Sequence, residues 1–377
     1  MSNLQYAEYL SDEELQKAAP LIKRLKKLNE RSESQNNYLK FVKNIWSGFI
    51  EGKHHKIYGQ KLQDVADGKI KRLIVNMPPR HTKSEFASYL FPAWLMGKRP
   101  DLKIIQATHT AELAVGFGRK VKNLIDSEDF RDIFPDVKLA SDAKAAGRWS
   151  TNGGGEYYAV GVGGALAGRG ADLCIIDDPV SEQDALSPTA LDGIYEWYTS
   201  GPRQRLQPGG SIIIVMTRWG IKDLTARVLQ KQSEGGADRW EVVEFPAIFP
   251  DTGNVLWQEY WSKEELEAVK ASIPVSKWNS QYMQNPTAEE GAIIKREWGM
   301  FGIVVNHLRA HTSYNPMTRL SQRLIDLTIV LFLLGGFLLL LKEKEMPSSC
   351  LMPKKEDGTF QSLKKKHTNC AKHMILT

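Results

Sequence analysis

The chain has 377 residues, enough for two domains of ordinary size whose cores need no disulfide support. Three cysteines without paired spacing argue against a disulfide framework or a cysteine-based zinc site, and fit a reducing cytosol. The net charge of +6 arises after Trp298, where residues 299–377 hold 11 Lys+Arg against 5 Asp+Glu; residues 1–298 are neutral, so global charge argues for no nucleic-acid partner.

The opening residues, MSNLQYAEYLSDEELQKAAP, are polar and acidic, unlike a signal peptide. Residues 1–60 are expected to form a helical amino-terminal segment ahead of an α/β domain over 61–245.

In KIKRLIVNMPPRHTKSEFASYLFPAWLMG, Leu73-Ile74-Val75 predicts a buried strand. Phe86, Leu90, Ala93 and Trp94 recur at helical spacing and predict a helix. The loop between them ends in Lys83-Ser84, as a phosphate-binding P-loop (Walker A) does, yet Met77 and Thr82 stand at its glycine positions and Pro78-Pro79 follow the first. Such loops hold phosphate mainly through amides near the lysine. Arg80, His81, Thr82, Lys83 and Ser84 all keep an N–H, and a helix amino terminus follows. The expectation is that Lys83 reaches the β- and γ-phosphates of ATP and Ser84 ligates Mg²⁺, while Arg80 presses a fixed charge on the γ-phosphate. A surface turn that happens to hold a lysine is the competing reading.

A further strand, LKIIQATHT, ends in Thr108-His109, which could line a cleft or be structural. GRGADLCIIDDPVS places Asp177-Asp178 at the end of the apolar run Leu173 to Ile176. A buried acidic pair is costly unless it binds metal or does acid–base work. Asp177 is the expected metal-shell ligand and Asp178 the residue that orients or deprotonates water; a helix-capping Asp competes. Arg203 and Arg205 are candidate arginine fingers or DNA contacts against a reading as solvated charges. GGSIIIVMTRWGIKDL predicts a buried strand ending in Thr217-Arg218-Trp219, a triplet placed to sense the γ-phosphate, unless it is a solvated loop. LWQEYWSKEEL reads as core rather than a base-stacking platform, within a linker over 246–298.

All ten tryptophans lie at or before Trp298, and the chain changes character there. LTIVLFLLGGFLLLL (Leu327 to Leu341) is 15 residues long, short of the roughly 20 that span a bilayer, so a membrane anchor and a buried helix are both disfavoured. An out-of-frame reading fits better. Shifting the frame at Met317-Thr318 forces an aspartate codon, and synonymous choices around it spell QSYDTAFS. Residues 299–377 are therefore expected to be a frameshifted tail that is not natively folded.

With these motifs in order, the chain resembles the large terminase subunit of tailed bacteriophages, the ATPase that pumps DNA into procapsids. PPRHTKS, GRGADLCIIDDP, VMTRW and QYMQNPTAEEGAIIKREW carry the resemblance over about 250 residues. It implies a P-loop NTPase of the additional-strand type, with a mainly parallel sheet flanked by helices. Lys83, Ser84 and Arg80 then match the P-loop, Asp177 and Asp178 the Walker B pair, and Thr217 to Trp219 the coupling motif. Also implied are double-stranded DNA, a portal protein and a small terminase subunit as partners, a ring of copies only when docked on the portal, and the bacterial host cytoplasm. In the family, a ribonuclease-H-like nuclease follows, whose first metal ligand is the Asp of QSYDTAFS; as written, this chain lacks it, as a decayed prophage gene would. A helicase-like translocase and a non-catalytic membrane-anchored protein are the alternatives.

Overall fold

A computed structural model describes residues 12–287 apart from 144, together with 332–334 and 337–339. The chain divides into two compact units, 1–294 and 295–377. In chain order the first unit forms α1 (Asp12–Asn36), α2 (Tyr38–Ile45), α3 (Lys53–Ala66), β1 (Arg72–Asn76), a π-helix (Glu85–Leu90) and α4 (Phe91–Lys98). Next come β2 (Lys103–Thr108), α5 (Ala111–Ile125), α6 (Glu128–Ile133), β3 (Arg148–Ser150), β4 (Glu156–Gly161) and β5 (Ala171–Asp177). The unit continues with α7 (Pro188–Ser200), β6 (Leu206–Met216), α8 (Leu224–Ser233), β7 (Glu241–Glu244), α9 (Lys263–Ser272) and a second π-helix (Trp278–Tyr282).

Seven strands make one sheet in the order β3-β4-β2-β5-β6-β1-β7, parallel except where β3 meets β4. Its central strands are apolar on both faces. Leu73, Val75, Leu173, Ile175, Ile213 and Val215 belong to one core, while Ile74, Cys174, Ile176, Ile212, Ile214 and Met216 belong to the other. Helices cover both faces, so neither needs polar alternation, and the strands read in sequence as unbroken apolar runs. Tyr38, Tyr58, Phe86, Phe91 and Trp94 complete the first core; Leu191, Ile194, Trp197 and Val228 complete the second. Each fully buried side chain of this size contributes about 1.5–3 kcal/mol.

The expected α/β class and mainly parallel sheet are what the chain forms. β6 lies between β1, which leads into the Lys83 loop, and β5, which ends in Asp177, and so is the additional strand of that architecture. The pairs Asn76↔Met216, Val215↔Asp177 and Asp177↔Thr108 are in register, so β1, β6, β5 and β2 end level with one another. Residues just past those ends therefore collect at a single sheet edge, where parallel sheets bind ligands.

Two local differences from the sequence reading stand out. The helix after the Lys83 loop begins as a π-helix: Phe91 N–H donates to Phe86 O, five residues back. Pro92 follows without an N–H, so it cannot restore the four-residue pattern at Ser88. Helix α3, moreover, runs continuously across residues 60 and 61.

Within the second unit, β8 (Phe332–Leu334) and β9 (Phe337–Leu339) pair antiparallel, so these parts of the Leu327–Leu341 run are strand and not helix. The rest of that run, and the rest of the tail expected to be out of frame, lie outside the described residues. Among the described residues, no helix is long and apolar enough to cross a membrane.

Candidate functional site

The Lys83 loop leaves β1 at the level edge and enters the π-helix at Glu85. Without glycine it still takes a glycine-like path, because Arg80 has φ +62° and Thr82 φ +68°. A β-branched residue at positive φ is rare, and such a conformation costs on the order of 1–3 kcal/mol unless its surroundings enforce it. Here they do. Thr82 Oγ1 lies 2.8 Å from His55 Nε2 and donates to His81 O, Tyr58 Oη donates to Lys83 O at 2.8 Å, and Phe86 N–H donates to Thr82 O.

At the end of β5, Asp177 is buried and accepts from Ser84 Oγ at 2.9 Å and from Ser88 Oγ at 2.7 Å, one hydroxyl on each carboxylate oxygen. Gln106 on β2 donates in turn to Ser88 Oγ. Asp178, at φ +42°, splits its carboxylate between Lys83 Nζ (2.6 Å) and Thr217 N–H (3.0 Å). Thr217 Oγ1 donates to Met77 O, tying the end of β6 to the start of the loop. Two carboxylates thus face one ammonium. Burial pushes Asp177 up to about 7, reinforced by the charge of Asp178 and opposed by Lys83, Ser88 and Ser84. Burial alone would lower the Lys83 pKa, but Asp178 and Asp177 outweigh it and raise it.

That charge deficit is the observation against which a metal can be tested. One hydroxyl and one buried carboxylate, with a negative charge left over, suit a hard divalent cation that keeps water and phosphate oxygens as its other ligands. No group of three or more His, Cys, Asp or Glu among the described residues would cage a metal without them.

Beside the loop opens a cavity of about 410 Å³ lined by Arg80, Thr82, Lys83, Ser84 and Glu85 on one side and by Trp46, Phe49, Ile50, Trp257 and Tyr260 on the other. A cationic, amide-rich floor against aromatic walls matches a molecule with a phosphate chain and a flat heterocycle. Arg80 is exposed and makes no hydrogen bond or ion pair among the described residues, which leaves its guanidinium room to turn inward.

The sheet brings Arg80, Thr82, Lys83, Ser84, Asp177, Asp178 and Thr217 together. His81 points elsewhere: it is fully buried, is bonded through Nδ1 to Pro79 O and stacks on Trp261, leaving its backbone amide as the part that could serve the loop. Arg218 is buried between Asp223 (2.9 Å) and Glu244 (3.3 Å), and its N–H donates to Gln284, while Trp219 N–H donates to Asp223. His109 reaches Asp178 O through both its N–H and Nδ1, a structural tie at the rim. Arg203 pairs with Asp238, which also holds Arg72, and does not line the cavity. LWQEYWSKEEL divides: Trp257 is core and also walls the cavity, and Tyr260, 54% exposed, stands at its mouth. Reading the stretch as core alone therefore needs correction. Ser88, His55 and Tyr58 went unnoticed in the sequence, although Ser88 follows Ser84 at one helical turn.

No protein-family model and no curated protein sequence matches the chain. Solved structures do. The large terminase ATPase domain of Thermus phage P74-26, as an arginine-to-alanine mutant, is similar at 16% identity and a TM-score of 0.44, over 66% of this chain and 98% of that one. The large terminase of a second thermophilic bacteriophage is similar at 13% identity and a TM-score of 0.41, and was also solved with ATP-gamma-S. For the large terminase of bacteriophage HK97 the values are 13% and 0.41. These last two matches cover 59% and 63% of this chain, and 52% and 51% of the respective terminase chains, about half of each.

Proposed function

We propose that this chain is the ATPase part of a DNA-packaging terminase large subunit, hydrolysing Mg²⁺·ATP at the Lys83 loop. The observation that carries the reading is the convergence of Lys83, Ser84, Asp177, Asp178 and Thr217 from three adjacent strands onto one edge, beside a cavity with an aromatic wall. Ser84 and Asp177 would hold the metal, which would supply charge neutralisation to the phosphate chain. Lys83 leaves Asp178 for the phosphates, and the amides of Arg80 to Ser84 bind the same oxygens. Asp178, freed from Lys83 and still aimed by Thr217 N–H, orients the attacking water and accepts its proton. Arg80 swings in from solvent to stabilise charge on the γ-phosphate.

In the same proposal Thr217, Arg218 and Trp219 couple the phosphate state to movement of double-stranded DNA, with the portal and small subunit as partners in the host cytoplasm. In this proposal residues 299–377 are an out-of-frame tail where the family's nuclease would follow, as in a prophage remnant. The full-length chain should hydrolyse ATP in Mg²⁺, faster with double-stranded DNA, and should leave that DNA uncut. Lys83→Ala should slow hydrolysis by roughly 100-fold or more. A rate indifferent to Lys83→Ala, or no ATP binding at all, overturns the motor reading. Genomic bases after codon 298 that fail to encode QSYDTAFS in another frame overturn the account of the tail.

A further inference from the structure

His55 lies on α3, outside the loop, the acidic pair and the cavity wall, and is fully buried. Its ring is fixed from several sides: Phe86 stacks at 5.1 Å, while Phe49 at 4.8 Å and Trp257 at 5.0 Å meet it edge-on. Gly52 N–H donates to Nδ1 at 2.8 Å, so in the neutral ring Nδ1 is the acceptor and Nε2 carries the proton. Burial, with His54 and His81 nearby, lowers the pKa to about 2 and keeps the ring neutral throughout the working range. Nε2–H donates its hydrogen bond to Thr82 Oγ1, 2.8 Å away, and the Thr82 hydroxyl in turn donates to His81 O. The relay has a fixed direction from the amino terminus of α3 to the loop. Tyr58, one turn along the same face, holds the next carbonyl at Lys83. Gly52 permits the approach, because a Cβ there would lie 2.6 Å from Trp257 and 2.9 Å from His54.

We propose that His55 is a positioning residue for the phosphate loop: its Nε2–H, acting on the Thr82 hydroxyl, holds residue 82 in the left-handed conformation that a glycine supplies in other P-loops. This inference rests on the reading of the loop as a nucleotide site. It makes a demand that a merely packed histidine would not meet. The contribution of His55 to nucleotide binding must depend on a side chain being present at position 82, and must fall away when that residue is glycine, which adopts positive φ without strain.

The test is fluorescent-ADP binding by the full-length chain, with thermal melting recorded on the same samples. Thr82→Ala keeps the Cβ strain but removes the hydroxyl, and His55→Ala removes the donor; each should weaken binding about tenfold, the factor that 1.4 kcal/mol represents. Adding Thr82→Gly to His55→Ala should recover most of that loss, and His55→Gln, whose amide N–H can replace Nε2–H, should bind more tightly than His55→Ala. Should His55→Ala not fold, Thr82→Ala against Thr82→Gly carries the same comparison, with the glycine variant the tighter binder. Binding by His55→Ala or Thr82→Ala equal to the unaltered chain overturns the proposal, as does a double variant no tighter than His55→Ala. Failure of the unaltered chain to bind ADP would instead overturn the nucleotide reading, so the two failures are distinguishable.

Discussion

Replacing Lys83 by methionine keeps the stem and removes the ammonium that faces Asp177 and Asp178. Lys83 is 8% exposed and Asp177 2%, so solvent screens little of the charge on Asp177. Breaking a buried pair from one side costs about 3–5 kcal/mol when the orphaned charge stays ionised. The carboxylates have an escape, which is to hold a proton. Asp177 is already pushed up to about 7 with Lys83 present; without Lys83 it keeps its proton across neutral pH. The sign follows from linkage. A carboxyl whose folded pKa lies above its unfolded value gives stability at low pH that is lost as pH rises through the folded pKa. In Lys83→Met that loss extends to higher pH than in the parent. A carboxyl of pKa about 7 already binds half a proton on average between pH 6 and 8, so the half proton added in Lys83→Met widens the stability gap by about 1.4 kcal/mol across those two units. Thermal or urea denaturation of both full-length proteins, without nucleotide, at pH 6 and pH 8 checks this. For a unit of this size the melting-point difference should grow by roughly 3 °C. A gap that is the same at both pH values, or smaller at pH 8, refutes the idea that Lys83 offsets the buried Asp177.

Two further outcomes probe the cavity. Tyr260→Ala removes an exposed ring that stacks on Trp257 at 4.3 Å, so it should leave melting nearly unchanged while weakening ATP binding by about 5- to 100-fold. Tripolyphosphate, which has no base, should bind both proteins equally; equal loss for both ligands would mean that Tyr260 does not meet the base. Arg80→Ala should shift the melting point by less than about 2 °C, because Arg80 is exposed and makes no bond among the described residues, yet lower kcat for ATP by roughly 100-fold or more. Unaltered kcat in a single-turnover assay would remove Arg80 from the chemistry.

The central strands were legible because burial on both faces leaves no polar residue to break the apolar runs at Leu73–Val75, Leu173–Ile176 and Ile212–Met216. Their adjacency was not written in those runs. It follows from crossovers that place β6 between β1 and β5 and so make neighbours of Asp178 and Thr217. Lys83-Ser84 announced a phosphate loop, but the residue types at 80 and 82 disguised its conformation. Arg and Thr reach positive φ here only because contacts distant in sequence hold them, and no local pattern reports a hydrogen bond between residues 55 and 82. Composition could not place Tyr260 either. An aromatic beside Trp257 and Trp261 looks like core until the fold leaves one ring of the three facing out.

On the proposed reading, the strand end beside the loop is a natural place for a coupling element. Lys83 would have two competing sets of partners, the Asp178 carboxylate it meets at 2.6 Å and a bound phosphate. Whichever wins, Asp178 is next to respond, and its second oxygen is already engaged by Thr217 N–H. One residue further, Arg218 bridges Asp223, which caps α8, and Glu244, at the end of β7, and its own N–H is held by Gln284. Because Arg218 is buried among these partners, a shift of the Thr217 backbone cannot be absorbed by a solvated side chain and must be shared with α8 and the Gln284 segment. No long wire of contacts is required. A two-position lysine, a split carboxylate and one buried arginine span the distance from phosphate to the neighbouring elements in consecutive steps.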